Sequence, residues 1–347
     1  MLAIFHRSRL YKYPMPRLAA LLLALAVVSF AQDNSTVTAP VGQPLPDHSV
    51  PKPPGAAGGD QPSTTIKVAV KLVSVYATVL DKNGAPVAGL TQGDFRVLED
   101  GNPEKISVFQ KESEMPLSIV MEVDSSGSTK KDLKLELNSA KKFATDIIRP
   151  VDRLSVYSFN EDVNEIVPFT ADLKEIDRGL NDIAPGSATA MYDAIYLGSK
   201  ALMRRTGRKV MVLITDGGDT YSKISYKEAL RAATQGEVLV YSIIMVPVEQ
   251  SAGRDTGGEH ALIQISKDSG GKHYYAKDLN QLDAAFKQIS EELRTQYLIG
   301  YYPSRRFTSN DFRKIEIELT HLGKFRENGV TEVSVRHRTG YYTSPLE

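Results

Sequence analysis

Three short stretches of this sequence carry side chains whose useful chemistry is hard oxygen. Asp124-Ser125-Ser126-Gly127-Ser128 supplies a carboxylate and several hydroxyls, Gly186-Ser187-Ala188-Thr189-Ala190 another hydroxyl, and Ile214-Thr215-Asp216-Gly217-Gly218 a second carboxylate. Asp124, Ser126, Ser128, Thr189 and Asp216 offer neither nitrogen nor sulfur, a donor set that suits Mg²⁺ or Mn²⁺ and disfavours Zn²⁺ or Cu²⁺. Mg²⁺ takes six oxygens and gives up water reluctantly, so so few protein ligands leave an exchangeable position that a partner's carboxylate can fill. Each stretch alone also reads as local capping, because Asp and Ser satisfy free backbone N–H groups at helix starts. The three together, each at the end of a candidate strand or the start of a helix, point to a metal. Asp193, near the start of the helix after Thr189, reads as a helix N-terminal charge or as a support behind a metal ligand. Asp219 reads as a turn former.

These loops need strands to carry them. Continuous apolar runs at Leu117 to Val123, Leu154 to Phe159, Val163 to Phe169, Val210 to Thr215, Val238 to Val246 and His273 to Ala276 suit strands buried on both faces. Between them, Leu133, Leu137, Ala140, Ala144 and Ile147 share one helical face, as do Leu173, Ile176, Leu180 and Ile183, and later Leu279, Leu282, Phe286, Ile289 and Leu293. The alternation predicts an α/β fold, a doubly wound, mostly parallel six-stranded sheet with helices on both faces, in which ligands bind at the carboxyl ends of the strands. All three oxygen-bearing stretches fall at that edge.

Asp124, Ser126 and Ser128 as D-x-S-x-S, with Thr189 and Asp216 downstream, resemble the metal-ion-dependent adhesion site of von Willebrand factor type A domains. The flanking segments and N-terminus further resemble the exported bacterial proteins related to that family. The resemblance implies Ser126, Ser128 and Thr189 as direct ligands, Asp124 and Asp216 as ligands directly or through water, and a partner Asp or Glu carboxylate completing the shell. Two departures stand out: Thr189 follows Ser-Ala where Gly-Gly is frequent, and Glu122 sits at a strand position that is usually apolar.

Either side of the α/β segment the chain reads as β structure. Ile66, Val68, Val70 and Leu72 alternate, then Val73, Val75, Ala77 and Val79 alternate in the opposite phase, a flip that suggests a bulge. Short strands around Phe95 to Leu98 and Ile106 to Phe109 follow, and after Thr295 come Tyr297 to Tyr301, Ile315 to Leu319, Val333 to Val335 and Tyr341-Tyr342. Neither half has enough strands to stand alone, so residues 65–114 and 297–347 are expected to form one small β-sandwich around an inserted domain at 115–296. Residues 32–64, rich in Pro and Gly, read as a tether. Residues 1–31, basic and then apolar from Leu18 to Phe30, read as a cleaved signal peptide or an uncleaved signal anchor. Either implies export to the periplasm, cell surface or medium.

The 347 residues hold 42 basic and 42 acidic side chains and no cysteine. That balance lacks the footprint of a nucleic-acid binder, and no disulfide or thiolate chemistry is available. The turn after the first parallel strand lacks G-x-G-x-x-G, which argues against a dinucleotide cofactor. The expected function is therefore a non-enzymatic, adhesion-type module that binds a protein partner's acidic group through the cation. The rivals are a metal-dependent phosphatase or hydrolase with Asp124 as nucleophile, and a purely structural metal.

Overall fold

The computed structural model describes residues 72–111, 115–127, 129, 133–246, 256–305, 311–320 and 332–343. The expected signal peptide, the tether, the alternation at 66–71 and Ser128 lie outside the described residues. Among those described, no helix is long and apolar enough to cross a membrane.

The first β segment contains β1 (Val73–Asp81), β2 (Phe95–Glu99), β3 (Asn102–Glu104) and β4 (Ile106–Lys111). Then β5 (Leu117–Asp124), α1 (Leu133–Ile147), β6 (Arg153–Phe159) and β7 (Val163–Thr170) open the α/β unit. It continues through α2 (Leu173–Asn181), α3 (Met191–Met203), β8 (Arg208–Thr215), α4 (Tyr226–Gly236), β9 (Val238–Met245), α5 (Thr256–Ser269), β10 (His273–Ala276) and α6 (Leu279–Leu293). The chain ends in β11 (Tyr297–Tyr301), β12 (Phe312–Leu319), β13 (Val333–Arg336) and β14 (Gly340–Tyr342).

The six central strands form one sheet in the order β10-β9-β8-β5-β6-β7. All pairings are parallel except β6 with β7. Every residue of β5 is buried, which is why it reads as an unbroken apolar run rather than an alternation. One face packs Ile119, Met121 and Val123 against Phe143 of α1, Leu180 of α2 and Phe286 of α6. The other packs Val120 and Met211 against Ile195 of α3, Ala233 of α4 and Ile265 of α5. From β5 the chain first moves to β6 and later returns to β8 on β5's other side. The order of the sheet reverses between β5 and β8, and a crevice opens at the carboxyl ends of such strands.

The two β segments interleave. β1 pairs with β11 and β13 from the far end of the chain, giving a sheet β13-β1-β11-β4, and β12 pairs with β2 in a sheet β14-β12-β2-β3. Both sheets contribute to one core, Val75, Ala77, Ile299 and Tyr301 from one and Phe95, Val97, Ile315 and Tyr341 from the other. Arg208 marks where the chain crosses between the layers. Its N–H donates to Pro116 O at 3.0 Å on entry to β5, and its guanidinium donates to Leu293 O and, at 3.1 Å, to Gln296 Oε1 on exit from α6.

Candidate functional site

Asp124 is the last residue of β5, and its side chain is completely buried. One carboxylate oxygen accepts from the Ser126 N–H at 2.9 Å, the other from the Thr215 hydroxyl, at the end of β8, at 2.7 Å. Burial pushes its pKa up to about 6, against the pull of the Thr215 and Ser126 bonds and with a further push from the charge of Asp216. Ser126 is also buried, and Thr129 closes the loop by donating to Asp124 O at 3.1 Å and Ser126 O at 3.0 Å.

Asp216 follows β8 directly and is half-buried. Gly217, next to it, adopts a positive φ of 92°, a backbone state that a side chain would strain, and its N–H donates to Thr215 Oγ1 at 3.1 Å. Thr189 is 5% exposed and precedes α3. Its backbone is stitched to the loop after β8: its N–H donates to Thr220 Oγ1 at 3.0 Å and its carbonyl accepts from Thr220 and Tyr221. Thr189 and Asp124 thus sit on neighbouring loops, tied where the Gly186 N–H donates to Ser125 O at 2.7 Å.

Four of the five sequence candidates, Asp124, Ser126, Thr189 and Asp216, therefore lie on adjoining loops at the carboxyl ends of β5 and β8; Ser128 lies outside the described residues. Asp193 braces the loop that follows Asp216, accepting from Lys223 N–H at 3.0 Å and Ile224 N–H at 2.7 Å. Asp219 caps α3, accepting from Met191 N–H at 2.8 Å and Tyr192 N–H at 3.3 Å, which explains how that helix starts at Met191 although its N-cap residue, Ala190, has no side-chain cap to offer.

Sequence reasoning missed Thr215, which orients Asp124, and Glu161, whose carboxylate accepts from the N–H groups of Ser187 and Ala188. Those bonds hold the Glu161 carboxyl down to about 2. Thr215 could have been found from its place at a strand end beside Asp216; nothing local marks Glu161.

Among the described residues no three His, Cys, Asp or Glu side chains cluster as a metal site. A cation here would be held by hydroxyls as much as by carboxylates. The donor set fits one: among the described residues, a carboxylate raised by burial beside a second carboxylate, with a hydroxyl and an amide N–H as partners, is an arrangement that a hard divalent ion would relieve.

The fold is a doubly wound α/β domain with hydroxyl and carboxylate side chains at the carboxyl ends of β5 and β8. Residues 118–288 match the family model of the von Willebrand factor type A domain. Similar solved structures include BatB from Bacteroides thetaiotaomicron, at 22% identity over 52% of this chain and 100% of that one, TM-score 0.41. A von Willebrand factor type A protein from Catenulispora acidiphila is 11% identical over 72% of this chain and 70% of that one, TM-score 0.45. The vWF domain of the type V pili tip protein Mfa5 from Porphyromonas gingivalis is 11% identical over 51% of this chain and 94% of that one, TM-score 0.41. Among curated protein sequences none is a significant match.

Proposed function

We propose that this protein is an exported, non-enzymatic binding module whose von Willebrand factor type A domain holds Mg²⁺ or Mn²⁺ through Asp124, Ser126, Ser128, Thr189 and Asp216, and uses that cation to take an Asp or Glu carboxylate from a protein partner. The observation that carries the reading is the buried Asp124 carboxylate, raised by burial and by Asp216, at the switch point of the sheet. When bound, the cation supplies a Lewis-acidic position for an incoming carboxylate. The protein's part is to fix the donors: Thr215 and the Ser126 N–H orient Asp124, and Thr220 fixes the Thr189 backbone.

Against the hydrolase reading, an aspartyl nucleophile needs an acid/base partner and a charge clamp on the substrate, whereas the bonds to the Asp124 carboxylate come, among the described residues, from the Thr215 hydroxyl and the Ser126 N–H. Export rests on the N-terminal pattern of basic residues followed by the apolar run from Leu18 to Phe30. The test is a pull-down from cell-envelope extract with the full chain in Mg²⁺ and in EDTA. Partners retained in Mg²⁺, released by EDTA and absent with Asp124→Ala or Thr189→Ala, at unchanged circular dichroism, are expected; retention in EDTA contradicts the proposal.

A further inference from the structure

The loop that carries Thr189 is held by an element that contributes no donor to the site, the turn between β6 and β7. Glu161 Oε2 accepts from the Ser187 N–H at 2.8 Å, the Ala188 N–H at 3.3 Å and the Ser187 hydroxyl at 3.2 Å. Its neighbour Asn160 accepts the Ala190 N–H at its carbonyl, at 2.6 Å, so the turn grips the chain on both sides of Thr189. The same Asn160 reaches the other loop, where its Nδ2 donates to Ser125 Oγ at 3.1 Å. Contact is close enough that a Cβ on Gly186 would lie 2.5 Å from Asn160 Cβ, and one on Gly127 would lie 3.4 Å from Ser187 O.

We propose that Glu161, together with Asn160, is a positioning residue of the cation site: by bridging the Asp124 loop and the Thr189 loop, the β6–β7 turn sets the spacing of their donors before a cation arrives. The inference rests on the cation reading above. A loop already ordered does not lose backbone freedom when the ion binds, so the bridge acts on affinity. It also gives the Ser-Ala before Thr189 a use, because Ser187 supplies a hydroxyl to the bridge that glycine lacks.

A carboxylate near a cation can also act through its charge alone, and the two roles separate in one set of variants. Glu161→Gln keeps an acceptor for the Ser187 N–H and loses the charge, while Glu161→Ala loses both. Gly186→Ala leaves Glu161 in place but drives Asn160 away. The full chain is titrated calorimetrically with Mn²⁺, and amide hydrogen exchange at Ser187 and Ala188 is measured without metal. Glu161→Ala and Gly186→Ala are expected to raise the Kd by about tenfold or more, with Glu161→Gln within about threefold of wild type. Exchange protection at Ser187 and Ala188 is expected to fall in metal-free Glu161→Ala and to persist in Glu161→Gln. Wild-type affinity in both alanine variants, or equal losses in Glu161→Gln and Glu161→Ala, overturns the proposal. A wild-type chain that takes up no Mn²⁺ overturns the cation reading itself and this role with it, an outcome recognised by flat titrations throughout the set.

Discussion

Glu99 in the β-sandwich and Glu122 in the α/β sheet are both completely buried, and the protein treats them in opposite ways. Glu99 is answered by donors: Arg313 donates to one oxygen at 2.6 Å, and the hydroxyls of Tyr301 and Tyr341 donate to the other at 2.9 and 2.8 Å. Among the described residues neither oxygen of Glu122 has a hydrogen-bond partner, and burial pushes its pKa up to about 8. It occupies space cleared by Gly198, where a Cβ would come within 2.0 Å of its Oε1. A carboxylate without a partner in an apolar layer becomes neutral by holding its proton, whereas Glu99 has its buried oxygens satisfied by donors. Asp124, two residues further along β5, is a third case, a buried carboxylate beside another at the edge of the sheet, for which the proposed balance is a metal ion.

The contrast is broken most forcefully at Glu99. Glu99→Leu strands the Arg313 charge, which is 2% exposed, and is expected to cost about 3–5 kcal/mol in chemical denaturation. A loss below about 1 kcal/mol would mean that the pair is not the anchor of the sandwich core.

Glu122 sharpens the contrast with the opposite sign. Its folded pKa of about 8 lies above the model-peptide value of 4.5, so between those pH values the unfolded chain has released a proton that the folded chain retains. The contribution is complete below about pH 4.5 and is lost as pH rises toward 8, a difference of roughly 3 kcal/mol at pH 7. Glu122→Met, close in volume and without charge, is therefore expected to be more stable than wild type by up to that amount at pH 7, with an advantage that grows between pH 5 and pH 8. An advantage that stays constant over that range would show that Glu122 does not carry the proton.

The difference between the two regions also governs what could be read from the sequence. The α/β sheet was legible because strands buried on both faces are continuous apolar runs, and α1, α2 and α6 because their large apolar residues recur at helical spacing. α4 was not, since the residues it buries are small, Ala229, Ala232 and Ala233, and α5 begins through Gly257-Gly258. β3 was missed because Asn102, Pro103 and Glu104 carry no apolar alternation. That the two β segments share a core followed from their shortage of strands, but the pairing of β1 between β11 and β13 depends on contacts more than two hundred residues apart.

At the site, Asp124, Ser126, Thr189 and Asp216 were legible by type and order. Glu161 and Asn160 were not, because they act on backbone atoms and hydroxyls 26 to 35 residues away, which leaves no local pattern. Glu122 stood out in the sequence as a charge in an apolar strand. Only the packing of α3 against it reveals that the charge is suppressed rather than paired.

The most direct test of the account is whether the third carboxylate is balanced as proposed. Calorimetric titration of the full chain with Mg²⁺ or Mn²⁺ at pH 7 is predicted to give saturable uptake of one ion per chain, lost in Asp124→Ala while Glu122→Met still binds. A flat titration through the millimolar range, or uptake that survives Asp124→Ala, would contradict it.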